Sequence, residues 1–365
     1  MSVEQLGFIG LGLIGGSLVK TIRRLHPNIS IIASSGRQST ITCAFEAGLI
    51  ENRENAAIES FASCDYIFLC APVQQNAGYI KQLKHIMKPS CILTDVGSVK
   101  GDIHKVVADL HMESRFIGGH PMTGSEQTGL SNATAYLLEN AYYILTPTAQ
   151  VKKDRVEEFR EFIRSLGAIP MVLDSNTHDA ATAAISHLPH VLAAALVNFV
   201  RQSDTPDETM KTIAAGGFKD ITRIASSSPV MWEEICTANQ TQILYMLDAF
   251  DQLLSSIRAS IASSDSCGIR EFFQSAKDYR DSLMVTPKGP GQTVFELYCD
   301  LIDEAGGIAT IATILASNHI SIKNIGIIHN REFEEGVLKI ELYEKSSYDR
   351  TIALLRKYHY TVYER

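Results

Sequence analysis

Several short runs carry residues whose types and spacing can do chemistry. The first is Gly10-Leu11-Gly12-Leu13-Ile14-Gly15, which follows the apolar run 6–10 and opens helical spacing at Ile14, Leu18, Ile22 and Leu25. In such a turn one glycine makes the tight bend, one lets the backbone approach a pyrophosphate, and one permits close helix–strand packing. The helix N-terminus adds unpaired N–H groups and partial positive charge for the phosphates. An ordinary tight turn fits a lone GxGxxG too, but the strand before it and the helix after it agree on a dinucleotide site.

The next apolar stretch ends in the second run. Proteins that bind NAD usually place an Asp or Glu there to hold the ribose hydroxyls. This chain has Ala33-Ser34-Ser35-Gly36-Arg37 and no carboxylate. Ser34 with Arg37 suits the 2′-phosphate of NADP, whereas a merely solvated Arg37 leaves NAD, and both readings stay open. Two further loops follow strand candidates, at the strand ends where open α/β sheets bind ligands. One is Leu93-Thr94-Asp95-Val96-Gly97-Ser98-Val99-Lys100; the other is Gly118-Gly119-His120-Pro121-Met122-Thr123-Gly124-Ser125-Glu126. His120 reads as part of a glycine-rich turn, so its ring is expected outside the apolar interior. A neutral imidazole with a pKa near ~6.5 takes a hydroxyl proton at physiological pH, as oxidation of a hydroxyl to a carbonyl requires. Ser98 would orient that imidazole or the substrate oxygen. A plain structural hydrogen-bonding role suits His120 equally well on spacing alone.

A further run is Ser186-His187-Leu188-Pro189-His190, two histidines on one helix face if the helix continues there. No carboxylate or cysteine completes a metal set, so no metal is expected. Downstream lies Gly216-Gly217-Phe218-Lys219-Asp220-Ile221-Thr222-Arg223. Arg223 has the planar fork that clamps a carboxylate, or it is a surface charge at a helix end. Trp232, the one tryptophan, either walls a pocket or packs in a core.

These runs need elements to hold them. Strand candidates at 6–10, 29–33, 66–71, 91–95, 116–118, 141–145 and 171–173 alternate with helical patterns such as 100–110 and 151–166. That alternation implies βαβ units and a mostly parallel sheet, so residues 1–175 read as a doubly wound, Rossmann-type α/β domain. Residues 176–286 read as an all-helical domain. It is led by a long, largely buried helix through 178–200 that Pro189 should kink, with further helices at 230–260 and 268–284. Such a surface suits a dimer interface or an internal core. TPKGPGQ at 286–292 is a linker by composition. After it, 293–365 reads as strand, helix (307–317), strand (320–328), strand (336–343), helix (347–357) and strand (359–364), the ferredoxin-like βαββαβ order.

Composition narrows the class. With 45% hydrophobic and 20% charged residues over 365 positions, the chain can fill more than one core. A net charge of −8 supplies no basic stripe for nucleic acid. Its seven cysteines are scattered without a CxxC pair, which points to a reducing cytoplasm. No apolar run is expected to reach the ~18 residues that cross a bilayer, and no signal peptide is expected at the N-terminus.

GLGLIGGSL, DVGSVKG, GGHPMTGSE, SHLPH and GFKDITRIASSSPVMW, in this order, closely resemble the prephenate dehydrogenases of bacteria, the TyrA family, over essentially the whole chain. The resemblance implies oxidative decarboxylation of prephenate with hydride transfer to NAD, in a homodimer. It implies His120 as the base for the ring hydroxyl and Ser98 as its hydrogen-bonding neighbour. Arg223 would hold a substrate carboxylate, with His190 nearby. Glu126, Lys219 and Trp232 would line the pocket and its ionic gate, which Asp179 would join unless it only caps a helix. Residues 293–365 are similar to ACT domains, which implies feedback by L-tyrosine; Asp303, Ala305, Gly306 and Ile308 in the first turn and Asn318 beyond the helix would be regulatory. Alternatives are arogenate as substrate, a β-hydroxyacid dehydrogenase, and a non-catalytic dinucleotide or amino-acid sensor.

Overall fold

The computed structural model describes residues 3–124, 127–283, 295–301, 306–328 and 336–364. Continuous apolar runs form the centre of the N-terminal sheet: Tyr66–Leu69 is buried at all four positions, as a strand covered on both faces requires. β1 (Gln5–Ile9), β2 (Ser30–Ser34), β3 (Tyr66–Leu69) and β4 (Ile92–Asp95) run parallel in the order β2-β1-β3-β4. A parallel bridge between Leu93 and Phe116 carries the sheet on to β5 (Ile117–Pro121), β6 (Tyr142–Pro147) and β7 (Ile169–Val172). β6 is antiparallel to β5 and parallel to β7, so the last two strands reverse.

Helices α1 (Leu13–Leu25), α2 (Gln38–Glu46), α3 (Val73–Leu83), α4 (Gly101–Asp109) and α5 (Lys153–Ser165) connect these strands. Leu6, Phe8, Leu18, Ile22, Phe159 and Ile163 form the core on one side of the sheet; Ile9, Ile67, Leu69, Ile80, Ile103 and Val107 form it on the other. This is the doubly wound arrangement, and its strand C-termini gather the loops of the site.

The helical part begins with α6 (Ser175–Thr182), a π-helical turn at Ala183–His187, and α7 (Leu188–Ser203). The path stays helical through Pro189, which stands in the first turn of α7. A proline lacks the N–H that an uninterrupted α-helix needs there, and the wider turn just before it accommodates the loss. Two expectations are corrected here. The helix is mostly exposed in the single chain, with Ile185 68% and Phe199 65% accessible. By length and composition, Ser175–Ser203 is also apolar enough to cross a membrane, because the histidines that break the run in sequence do not break the helix. α8 (Thr209–Ile213), α9 (Gly216–Thr222), α10 (Pro229–Ala238), α11 (Gln240–Ala262) and α12 (Ser266–Leu283) follow.

The chain divides into two compact units, 1–272 and 273–365, with the first holding both the sheet and the helices around it. The second contains β8 (Phe295–Leu301), α13 (Gly307–Ser317), β9 (Ile322–Ile328), β10 (Gly336–Leu342), α14 (Lys345–Lys357) and β11 (Val362–Glu364). Its sheet is antiparallel in the order β11-β8-β10-β9, the ferredoxin-like topology, over a core of Leu297, Leu338, Ile340, Ile311, Leu315 and Leu355. The linker expected at 286–292 lies outside the described residues.

Candidate active site

The glycine turn has the shape its spacing predicts. Gly10 sits at φ +102°, a conformation that favours glycine, and a Cβ on it would stand 2.5 Å from the Cys70 backbone. A Cβ on Gly15 would stand 2.3 Å from Gly10 O, so this glycine allows α1 to pack against its strand. At Gly12, which precedes α1, a Cβ would meet no protein atom within 4 Å. That open face beside the helix N-terminus fits a pyrophosphate. Leu11 is buried, while Leu13 and Ile14 begin α1.

A buried ion pair fixes the two loops beneath the site. Asp95, at the end of β4, accepts the N–H groups of Gly97 at 2.9 Å and Gly119 at 3.2 Å and pairs with Lys100. Lys100 also donates to Gly119 O at 2.7 Å. Burial pushes the Lys100 amine below its usual pKa, while the Asp95 charge opposes that. The Ser98 loop and the His120 strand are thereby tied together.

His120 lies in strand β5, opposite Ile144, and not in the glycine-rich turn expected. Gly119 is needed because a Cβ there would stand 2.6 Å from Asp95 O. Burial drives the His120 pKa well below 6.5, and the positive charge of Lys100 and the nearby His178 and His187 add to the effect. Its Nδ1 lies 2.8 Å from His178 Nε2. His178 Nδ1 in turn lies 2.7 Å from Asp179 Oδ1. Asp179 further accepts the N–H of Lys100 at 2.8 Å and that of Gly101 at 2.7 Å. Burial raises the Asp179 pKa, but the hydrogen bonds from His178, Lys100 and Gly101 outweigh it and the net shift is downward.

This chain of contacts sets the tautomers. An ionised carboxylate only accepts, so His178 Nδ1 carries a proton, and with that single proton on the ring its Nε2 accepts. His120 Nδ1 then donates, which leaves the lone pair on His120 Nε2 as the available base. Residue spacing gave no sign of His178 as a partner of His120; adjacent His178-Asp179 after a strand was the one available signal. The reading of Asp179 is revised: α6 is capped by Asp174, which accepts from Asn176 and Thr177, whereas Asp179 caps α4 and holds His178.

Around this centre, His190 stacks on Trp232 with ring centroids 3.9 Å apart, and His187 meets the same indole edge-on at 6.0 Å. The Trp232 N–H is buried with no acceptor among the described residues. Asn239 holds the inner side, donating to Asp179 O at 2.9 Å and standing 3.1 Å from His187 Nδ1. Burial lowers the His187 pKa to about 4. His190 is lowered too, by burial; a hydrogen bond with the Ile224 backbone opposes the shift and the positive charge of Arg223 adds to it. Lys219 is an exposed side chain on α9. Ser98 makes no hydrogen bond to His120; it lines a cavity of about 740 Å³ between α3, α4 and α10. Glu126, Asp303 and Ala305 lie outside the described residues.

A doubly wound domain with a pyrophosphate-shaped glycine turn, joined to helices that hold a neutral histidine base, defines a dinucleotide-linked dehydrogenase. Known proteins agree and narrow the class. Residues 18–172 match the family described as prephenate dehydrogenase, nucleotide-binding domain, and 174–275 match prephenate dehydrogenase, dimerization domain. The prephenate dehydrogenase of Bacillus subtilis (strain 168) is 39% identical over 336 residues, 91% of this chain and 90% of that protein. Prephenate dehydrogenase from A. aeolicus, solved in complex with hydroxyphenyl propionate and NAD+, aligns with a TM-score of 0.72 at 31% identity, covering 78% of this chain and 99% of that one. Arogenate dehydrogenase from Synechocystis aligns at 0.70 and 30%, covering 76% and 99%. The chain belongs to the prephenate dehydrogenase family.

Proposed function

We propose that this chain oxidatively decarboxylates prephenate to 4-hydroxyphenylpyruvate with NAD as hydride acceptor. The observation that carries the proposal is the Asp179–His178–His120 chain, which leaves His120 Nε2 as a free base. The glycine turn of Gly10, Gly12 and Gly15 would hold NAD, which would supply the hydride acceptor for C4. His120 Nε2 takes the C4 hydroxyl proton as that hydride leaves, and the resulting imidazolium is stabilised through His178 by Asp179. Carbon dioxide then departs from C1, its bonding pair flows into the ring, and His120 returns the proton to the phenolate oxygen. No proton is gained or lost overall, so a buried base of low pKa suffices. Ser98 hydrogen-bonds the C4 oxygen. Arg223 holds a substrate carboxylate, with His190 and Trp232 in the substrate pocket and Glu126 and Lys219 serving its ionic gate.

The C-terminal unit is an ACT module through which L-tyrosine inhibits. Support comes from its βαββαβ order, from Gly306 at φ +98° where α13 begins, and from Asn318, which donates to Ile314 O at 2.8 Å and closes that helix. Tyrosine meets Asp303, Ala305, Gly306, Ile308 and Asn318. The protein is a homodimer in the cytoplasm. Exposed apolar residues along α7 and α11, among them Phe199, Leu244, Tyr245 and Leu253, give the dimer its surface. The apolar Ser175–Ser203 helix is part of that surface and not a bilayer span, because it carries His178 and Asp179 into the active site. All seven cysteines are free, as in a reducing compartment.

The test is reduced-cofactor formation with prephenate and, in parallel, arogenate, with and without tyrosine. Turnover of prephenate that tyrosine suppresses is expected. Turnover of arogenate alone would reassign the substrate, and a rate indifferent to tyrosine would remove the regulatory role.

A further inference from the structure

Asn239 sits where α10 ends and α11 begins, outside every motif read in the sequence. Its N–H donates to Ile235 O at 2.9 Å and its own carbonyl accepts the Ile243 N–H at 3.0 Å, so the backbone is fixed on both sides. The side chain is buried, and its Nδ2 stands 2.9 Å from Asp179 O and 3.1 Å from His187 Nδ1. A main-chain carbonyl only accepts, so the carboxamide turns its NH2 to this side. An amide nitrogen only donates, so His187 Nδ1 is the acceptor and carries no proton. Burial, opposed by the Asp179 charge, holds the His187 pKa down at about 4, and the proton of the neutral ring is then on Nε2. That N–H makes no hydrogen bond among the described residues, although His187 is only 1% exposed. A buried donor without an acceptor is costly, and a bound ligand satisfies it. The N–H points away from Asn239, because the two nitrogens of an imidazole face nearly opposite sides of the ring. His187 ends the π-helical turn, meets Trp232 edge-on and acts electrostatically on His120, which places it between the base and the indole on which His190 stacks.

We infer that Asn239 is a positioning residue for the reaction: it holds His187 as the Nε2–H tautomer, and that N–H donates to a carboxylate oxygen of the bound substrate. The inference rests on the reading of this pocket as the prephenate site. It also accounts for a carboxamide at this position. A carboxylate at 239 would take the proton of Nδ1, as Asp179 does from His178, and leave a lone pair on Nε2 to repel the anion.

The experiment is nitrogen NMR of the full chain carrying isotope-labelled histidine, which reports the ring nitrogen that bears the proton, beside steady-state kinetics and calorimetric titration with prephenate. His187→Phe identifies the His187 signals. In the parent the proton is expected on Nε2. Asn239→Asp, at an alkaline pH where the spectrum shows one proton on the ring, should move it to Nδ1 and raise the KM for prephenate at least about tenfold. His187→Gln, whose side-chain amide still donates, should keep KM within about threefold of the parent, whereas His187→Phe should raise it at least about tenfold. A proton on Nδ1 in the parent overturns the inference, as does a moved proton that leaves KM within threefold. Equal KM for the Gln and Phe variants overturns it too, since packing alone would then explain His187. If Asn239→Asp does not fold, the parent spectrum and the two His187 variants decide. A folded parent that neither binds nor turns over prephenate brings down the substrate reading, while a proton on Nδ1 with normal turnover brings down the role of Asn239 alone.

Discussion

Replacing Asp179 with asparagine keeps its size and removes its charge. The carboxylate accepts three N–H groups, from Lys100 and His178 at Oδ1 and from Gly101 at Oδ2. A carboxamide offers one accepting oxygen and one NH2, so at least one of these donors must face another donor. With the NH2 at the Oδ1 position, His178 Nδ1 becomes the acceptor and its proton moves to Nε2. His120 Nδ1 must then accept, and its own proton moves to Nε2, the nitrogen that has to take the substrate proton. A wrong tautomer costs about 10⁴ in rate in the serine-protease triad, and general-base catalysis as a whole is worth ~10²–10⁴. Asp179→Asn should therefore lower kcat by about 10²–10⁴, a barrier increase of about 3–5 kcal/mol. The KM for prephenate should move by less than about threefold, because Asp179 lies behind the base and adds little uniform binding. Steady-state reduction of NAD, with a melting curve to confirm the fold, is the assay. Asp179→Glu, which restores the acceptor, should recover part of the rate. A folded Asp179→Asn protein with kcat within tenfold of the parent would refute the tautomer assignment.

Other perturbations separate binding from folding. Gly12→Val should raise the KM for NAD at least about tenfold and leave the melting temperature in place, while Gly15→Ala, whose Cβ meets Gly10 O at 2.3 Å, should lower stability by about 1–3 kcal/mol. Equal effects of the two on melting would contradict this division of labour. Arg223→Ala should raise the KM for prephenate by about 10–100-fold, as loss of a charged hydrogen-bonding pair does; an unchanged KM takes Arg223 out of the site. Lys100→Met leaves Asp95 buried and unpaired and should cost about 3–5 kcal/mol in urea unfolding, with a smaller loss counting against the ion pair as the anchor of the two loops. Acid should destabilise the protein through His187: its folded pKa of about 4 lies below the unfolded ~6.5, so the unfolded chain binds more protons between these values. Stability is then whole above about pH 6.5 and falls toward pH 4 by on the order of 3 kcal/mol, and a urea midpoint level across that window would speak against it.

Much of the fold was legible because periodicity reports burial. The helix at 307–317 appears in the structure as read, and the strand read at 66–71 is present over Tyr66–Leu69. Local chemistry also served where glycine is demanded by geometry, as at Gly10 and Gly15. What escaped depends on long-range contact. His120 looked like a turn residue because its two preceding glycines signal a bend, but Gly118 is there to let β5 approach Thr146 and Gly119 to let it approach Asp95 and Tyr143. His178 stands 58 positions from His120 and Asp179 stands 79 from Lys100, separations that no periodicity encodes. The irregularity expected of the 178–200 helix at Pro189 takes the form of a single wide turn just before it, through which the path stays helical. The exposure of α7 likewise follows from what packs on it and not from its composition.

The most direct measurement is kcat for reduced-cofactor formation from prephenate by the parent chain and by His120→Asn, side by side. His120 acting as the base predicts robust turnover by the parent and a loss of at least about a hundredfold in the variant, with prephenate still bound. Equal turnover by the two proteins, or none by a folded parent with either nicotinamide cofactor, would contradict it.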